Sequence, residues 1–179
     1  TVFVRVDFNV PMKDGKITDD TRLRAHVPTL KALSTAGAKV VIGCHLGRPD
    51  SADKRLSLKP VAVALSSLLD MPVKFVEDIT GNVVDSAKAS LASGELLLLE
   101  NLRFKKAEKA GEQTFSKELA KGIDVYINDA FANSHRTHAS MAGMVPHVKQ
   151  NGIGLLMQKE LETLGDMLGT PKKPFTVII

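Results

Sequence analysis

The order of apolar and polar positions predicts short buried strands that alternate with amphipathic helices. Residues 96–99 are four consecutive leucines, a run too short for a stable helix, which favours a central strand covered on both faces. The predicted strands are residues 2–6, 38–43, 73–76, 96–99, 125–127 and 175–179. The predicted helices are residues 21–36, 58–69, 80–91, 113–121 and 152–168, and a break or kink is expected at Pro28 in the first of them.

This alternation is typical of an α/β fold. We predict a doubly wound, mainly parallel sheet of about six strands with helices on both faces, the three-layer arrangement of Rossmann-like proteins. Residues 1–169 are predicted to form one domain. Gly169 ends this part of the chain and two prolines follow it, so residues 170–179 are predicted to be a linker and the first strand of another domain.

Composition excludes several classes of protein. The 179 residues are 44% hydrophobic and 25% charged, and no apolar run approaches the roughly 20 residues that a bilayer requires. The single cysteine, Cys44, rules out an internal disulfide and favours a cytoplasmic location without a membrane partner. Cys44 ends an apolar run, where a buried hydrophobic role is expected rather than a nucleophilic one.

Polar side chains follow one predicted strand after another. They are Asp7 and Asn9, His45 and Arg48, Arg103, and finally His135 and Arg136, with Arg22 opening the first helix. Right-handed crossovers would bring these groups to one edge of the sheet. A hydrogen bond to a charged group contributes roughly 1.5–3 kcal/mol, whereas a micromolar ligand needs about 8 kcal/mol. Several converging arginines therefore predict a small, multiply anionic ligand.

Other kinds of site have weak support. Neither Gly-x-Gly-x-x-Gly after the first strand nor Gly-x-x-x-x-Gly-Lys-Ser/Thr occurs, so no nucleotide site is predicted within this chain. His135 and His138 lack a third ligand at useful spacing, and no metal site is predicted. No Ser-His-Asp or Cys-His arrangement can be argued. The pattern indicates an anion binder that has no nucleophile of its own.

Two alternatives remain open at this point. The net charge of +4 suggests a nucleic-acid-binding module, which would need stacking aromatic residues along a basic track. The chain has no tryptophan, one tyrosine and seven phenylalanines, several of them within apolar strands. The other alternative is a stand-alone anion-binding domain with a regulatory role.

Several motifs, in order along nearly the whole chain, resemble the phosphoglycerate kinase family. They are Arg5-Val6-Asp7-Phe8-Asn9-Val10-Pro11, Asp20-Thr21-Arg22, His45-Leu46-Gly47-Arg48-Pro49, Leu99-Glu100-Asn101-Leu102-Arg103-Phe104, Asn128-Asp129-Ala130-Phe131 through His135-Arg136, and Gly154 to Leu161. The last of these resembles the interdomain helix of the family, about residues 152–168. Ala132-Asn133-Ser134 stands where the family usually has Gly-Thr-Ala, so an altered local backbone and altered substrate contacts are expected there.

The resemblance implies a specific function. In this family an N-terminal domain holds 3-phosphoglycerate or 1,3-bisphosphoglycerate and a C-terminal domain holds MgATP or MgADP, for reversible phosphoryl transfer in glycolysis. By motif the 3-phosphoglycerate ligands would be Asp7, Asn9, Arg22, His45, Arg48, Arg103 and Arg136. Arg22 would also stabilise charge on the phosphoryl group in flight, as the catalytic residue.

The resemblance also sets the expected partners. The chain would be the N-terminal half of a monomeric kinase, and its main partner would be the C-terminal domain of the same protein. No nucleic acid would bind. Since the nucleotide-binding residues have no counterparts here, the chain alone is expected to be inactive.

Overall fold

The structure, a computed structural model, describes residues 1–169, 171 and 173–176. Its strands are β1 (Val2–Arg5), β2 (Met12–Lys13), β3 (Lys16–Ile17), β4 (Val40–Gly43), β5 (Val73–Val76), β6 (Leu96–Leu99), β7 (Val125–Asn128) and β8 (Gln150–Ile153). Its α-helices are α1 (Thr21–Thr35), α2 (Lys59–Leu69), α3 (Asn82–Ala89), α4 (Lys106–Ala110), α5 (Gln113–Ala120) and α6 (Leu155–Gly169).

Six of the strands form one sheet in the order β5-β6-β4-β1-β7-β8. Every neighbouring pair is parallel, and β1 lies between β4 and β7. The strands β2 and β3 form a separate antiparallel pair. The predicted parallel α/β sheet is confirmed, and the carboxyl ends of its strands lie along one edge.

Two apolar layers cover the two faces of the sheet. Alternate residues of β1 contribute to opposite layers, because Val4 packs in one cluster and Phe3 in the other. Leu30 of α1 and Leu65 of α2 belong to the Val4 layer, whereas Phe115 of α5 belongs to the Phe3 layer. Helices therefore cover both faces, as the three-layer prediction requires.

The sixth strand of the sheet is not among the strands predicted for this domain. It is β8, all of whose side chains are exposed, so it carries no hydrophobic pattern and is defined by its pairing with β7. Within the predicted strand 175–179, residues 175 and 176 have no strand assignment, and residues 177–179 lie outside the described part of the chain.

Two helix predictions also need correction. A break of α1 at Pro28 is wrong, because the helix runs as one unit from Thr21 to Thr35 with Pro28 inside it, while the alternative of a kink stays a prediction. Pro28 lies on the exposed side of α1, where water can solvate the freed carbonyl, while Leu23 and Leu30 are fully buried on the other side. The last helix begins at Leu155 rather than at 152, because residues 150–153 pair in β8.

Candidate functional site

The predicted site residues lie where the fold was expected to bring them. Asp7 and Asn9 follow β1, His45 and Arg48 follow β4, and Arg103 follows β6. Arg136 lies in the segment after β7, and Arg22 is in the first turn of α1. Because β6, β4, β1 and β7 are consecutive parallel strands, these segments leave the sheet at the same edge.

Arginines from three of these segments line one cleft. The cleft has a volume of about 280 Å³ and is lined by Arg48, Arg103, Lys109, Arg136 and His138. No carboxylate is among these lining residues, so the lining of the cleft is positively charged. Its lining is suited to a small anion with several negative oxygens.

Arg103 is largely buried in this cleft without an acidic partner. Its Nη1 donates to the carbonyl oxygen of Gly47 at 2.7 Å, whereas its Nε is buried and unpaired, as is the Nε of Arg136 within the described residues. Burial lowers the pKa of Arg103, and the neighbouring charge of Arg136 lowers it further. Charges held together without compensation are costly, which favours a site completed by an anionic ligand.

His45 is held as a neutral hydrogen-bond donor beside the cleft. Its Nδ1 lies 3.0 Å from Nη2 of Arg5, and because a guanidinium can only donate, Nδ1 is the acceptor and Nε2 carries the proton. Burial, reinforced by the charges of Arg5, Arg103 and Arg136, lowers the pKa of His45 to about 2. The ring therefore offers Nε2–H at neutral pH.

Arg5 belongs to the first motif but is not among the predicted site residues. It is 1% exposed, and its Nε donates to Oγ of Ser140 at 2.9 Å. Ser140 in turn donates from Oγ and from its backbone N–H to the carboxylate of Glu108, which is also 1% exposed. A charged residue inside the apolar run 2–6 is the sequence signal that could have indicated this buried network.

Asp7 and Arg22 form an ion pair beside a second cavity. Arg22 donates from Nη1 to Oδ2 of Asp7, and both line a cavity of about 260 Å³. Asn9 links the two regions, since its backbone N–H donates to Oδ1 of Asp7 at 3.3 Å and its Oδ1 accepts from the N–H of Gly47 at 2.8 Å. The carbonyl of Gly47 accepts from Arg103, so one polar network spans both cavities.

The backbone of Ala132-Asn133-Ser134, which stands where the family usually has Gly-Thr-Ala, does not require a glycine. Residues Phe131–Asn133 form a 3₁₀ turn, and Ala132 does not have a positive φ. An alanine therefore fits this backbone without a steric cost. Ala132 lines the cavity beside Asp7 and Arg22, so what differs from a glycine there is one methyl group on the wall.

Three features of the described residues bear on metal ligation, thiol chemistry and membrane insertion. Among the described residues, no group of three or more His, Cys, Asp and Glu side chains is placed to hold a metal ion. Cys44 is fully buried, and burial raises the pKa of its thiol, which disfavours the nucleophilic thiolate. The part of the chain that the structure describes also contains no helix both long and apolar enough to span a bilayer.

Comparison with known proteins assigns the family. A family model described as phosphoglycerate kinase matches residues 1–179. The chain belongs to the phosphoglycerate kinase family. The resemblance found in the motifs is thereby confirmed, and neither the nucleic-acid-binding nor the stand-alone regulatory alternative is favoured.

Individual relatives agree with this assignment. The chain is 49% identical over 179 residues to a phosphoglycerate kinase of Leptospira biflexa and 48% identical over 179 residues to the cytosolic phosphoglycerate kinase of Triticum aestivum, in each case over 99% of this chain and 45% of the relative. The crystal structure of phosphoglycerate kinase from Pyrococcus horikoshii matches with a TM-score of 0.87 and 42% identity, over 97% of this chain and 44% of that one. The chain thus spans about 45% of these relatives, in their N-terminal half.

Proposed function

We propose that this chain forms the 3-phosphoglycerate-binding part of a phosphoglycerate kinase. The complete protein would transfer a phosphoryl group reversibly between ATP or ADP and 3-phosphoglycerate or 1,3-bisphosphoglycerate. The observation that carries the proposal is the cleft where Arg48, Arg103 and Arg136 meet without a carboxylate among the lining residues. At about 280 Å³ its volume suits a phosphorylated three-carbon acid better than a large ligand.

The proposed ligand contacts follow from donor chemistry. Guanidinium forks bind phosphate and carboxylate oxygens in a planar, bidentate manner, which assigns Arg48, Arg103 and Arg136 to the anionic groups of the substrate. His45 would add Nε2–H as a neutral donor. Asn9 and Asp7 lie on the other part of the polar network, where Asp7 can accept from a substrate hydroxyl while it remains paired with Arg22.

The proposed catalytic residue is Arg22. Phosphoryl transfer depends on positioning and on neutralisation of charge rather than on covalent chemistry by the protein. The substrate carboxylate would itself attack the phosphoryl group, so a protein nucleophile is not required. The side chain of Arg22 is 51% exposed, which leaves it free to reorient from Asp7 toward transferring oxygens.

The nucleotide belongs to the part of the protein that this chain does not contain. We propose that residues 1–169 form the substrate domain, with α6 as the interdomain helix, and that residues 170–179 lead into a C-terminal domain that binds MgATP or MgADP. The cationic lining of the cleft does not suit Mg²⁺, so the metal would be held together with the nucleotide by the C-terminal domain. Closure between the two domains would exclude water from the reacting groups. The substrate domain alone cannot form that closed site, so we expect it to be inactive.

Calorimetry on this chain tests the proposal directly. Titration with 3-phosphoglycerate should give saturable, salt-sensitive binding, and titration with MgADP should give none. Binding of MgADP with the affinity of a full-length phosphoglycerate kinase would contradict the assignment of the nucleotide to another domain. Absence of any 3-phosphoglycerate binding at low salt would contradict the substrate assignment.

The chain is proposed to be a cytoplasmic monomer. A monomeric state would show as a single species of about 19 kDa in light scattering, given the chain mass of 19.3 kDa. A cytoplasmic location is proposed by analogy with the relative from Triticum aestivum, which is named cytosolic. Nucleic acid is not proposed as a partner; steep salt-dependent binding of DNA or RNA would contradict this.

A further inference from the structure

A buried histidine outside the predicted site joins two distant parts of the fold. His26 lies on the inner face of α1 and is 1% exposed, and Asp129, just after β7, is 0% exposed. Nδ1 of His26 lies 2.9 Å from Oδ2 of Asp129. Burying a carboxylate and an imidazole is costly unless their polar atoms are hydrogen-bonded, so the partners of both groups matter.

The second nitrogen of the same ring bonds to the proposed substrate segment. The backbone N–H of Asp7 donates to Nε2 of His26 at 3.1 Å, so Nε2 carries a lone pair and Nδ1 carries the proton that faces Asp129. Phe8 packs edge-on against the ring, with centroids 5.3 Å apart at 75°. Both nitrogens are therefore engaged, and the orientation of the ring is fixed.

The other oxygen of Asp129 holds the beginning of α6. Oδ1 of Asp129 accepts from the backbone N–H of Met157 at 3.0 Å, one of the helix N–H groups that has no partner within the helix. A Cβ atom at Gly154 would overlap Oδ1 of Asp129, so the glycine is what lets the chain approach the carboxylate. Thr29 adds a second link from α1, because its Oγ1 accepts from the N–H of Leu155 at 3.0 Å.

We propose that His26 is a positioning residue that couples Asp7, and through it Arg22, to the N-terminal end of α6. The path runs from Arg22 to the carboxylate of Asp7, from the Asp7 amide to His26, and from His26 through Asp129 to the Met157 amide. The His26–Asp129 link is fully buried and the links on either side of it are partly buried, so a shift of α6 can displace Asp7 through directly bonded groups. The functional part of this inference depends on the proposed substrate site.

Two substitutions separate the two links. In His26→Gln the amide oxygen can take the place of Nε2 and accept from the Asp7 amide, which leaves Asp129 without its donor. In His26→Asn the amide nitrogen can take the place of Nδ1 and donate to Asp129, which leaves the Asp7 amide unpaired. Leu30→Val is the matched control, since Leu30 is fully buried on the same helix and is part of the apolar core.

The first measurement needs no ligand. The imidazole ¹⁵N spectrum of the unmodified chain should show His26 as the neutral Nδ1–H tautomer. Hydrogen exchange at the Met157 amide should quicken about tenfold in His26→Gln and stay within about twofold in Leu30→Val, since a lost hydrogen bond of ordinary strength gives changes of this size. An Nε2-protonated ring, or unchanged Met157 exchange in a folded His26→Gln chain, would overturn the proposal. If His26→Gln fails to fold, the imidazole spectrum still decides.

The second measurement uses 3-phosphoglycerate. Binding should shift the Met157 amide resonance in the unmodified chain and in Leu30→Val but not in either His26 variant. The affinity for 3-phosphoglycerate should fall about tenfold in His26→Asn, which leaves the Asp7 amide unpaired. In His26→Gln it should stay within about threefold of the unmodified chain. Equal affinity and an intact Met157 response in both His26 variants would refute the coupling. A failure of the unmodified chain to bind, with the ligand-free results as expected, would instead refute the proposed function.

Discussion

Arg5 donates from Nη2 to Nδ1 of His45 over 3.0 Å, and both side chains are almost completely buried. The contact fixes His45 in one tautomer, with its proton on Nε2. It also places a permanent positive charge against the ring, which opposes protonation. A histidine in the middle of a basic site is thereby kept neutral.

Burial of His45, reinforced by the charge of Arg5, predicts a loss of stability in acid. The pKa of His45 is lowered from 6.5 to about 2, so below about pH 6.5 the unfolded chain binds one proton that the folded chain does not. Stability should therefore fall with pH from about 6.5 downward, by roughly 1.4 kcal/mol per unit from this group alone. Urea denaturation at pH 7, 6 and 5 should show a shallower fall in His45→Asn. The exposed His135 provides the control substitution, and equal slopes for all three proteins would contradict the prediction.

Arg22→Ala should reduce turnover far more than substrate affinity. In the full-length protein we expect kcat to fall roughly 10²- to 10³-fold, because charge on the transferring group loses its partner, with little change in KM for 3-phosphoglycerate. A coupled kinase assay measures both. Arg24→Ala is the matched control, since Arg24 is on the same helix but is paired with Asp20 at 2.8 Å. Unchanged turnover in Arg22→Ala would remove Arg22 from the catalytic role.

Arg103→Ala should weaken 3-phosphoglycerate binding instead. Loss of one charged hydrogen-bonding partner costs roughly 1.5–3 kcal/mol, or about 10- to 150-fold in affinity. Because a cation is removed, the dependence of affinity on salt should also become less steep. Calorimetry at two salt concentrations measures both effects. Arg55→Ala should leave affinity unchanged, since Arg55 is 89% exposed and pairs with Asp53; an equal loss there would point to a nonspecific charge effect.

Ser140→Ala should destabilise the fold. Ser140 joins Arg5 to Glu108, and its loss leaves the buried Nε of Arg5 without its acceptor. We expect the free energy of unfolding to fall by about 1–3 kcal/mol, measured by urea denaturation. Ser90→Ala is the control, because the Ser90 hydroxyl is exposed and bonds only to the nearby Ala87 carbonyl. Equal stability of the two variants would show that the network contributes nothing.

Gly154→Ala and Gly165→Ala should change stability in opposite directions. A Cβ at Gly154 overlaps the carboxylate of Asp129, and relieving that overlap should cost about 1–3 kcal/mol. A Cβ at Gly165 in α6 meets nothing within 4 Å, so alanine should stabilise by roughly 0.5–1 kcal/mol through its higher helix propensity. Thermal unfolding of the two variants gives the comparison. Unchanged stability in Gly154→Ala, or a loss of stability in Gly165→Ala, would contradict these expectations.

The sequence by itself determined the features that follow from local hydrophobic pattern and from motifs. Runs such as residues 96–99 fold as strands because they are apolar and short, and the α/β class follows from their alternation with helices. Parallel strands share one edge, so the convergence of Arg48, Arg103 and Arg136 could also be predicted. The motifs were specific enough to identify the family.

Only the tertiary structure decided the rest. The strand β8 has no hydrophobic pattern and is defined by its parallel backbone pairing with β7. The sequence does not name the partners of Arg5 and His26, because Arg5 bonds to Ser140 and His26 to Asp129 across more than a hundred residues. Whether two buried groups form a hydrogen bond depends on their distance in the folded protein. Hydrophobic periodicity shows only which face of its own helix or strand a residue occupies, so it cannot identify a partner on another element.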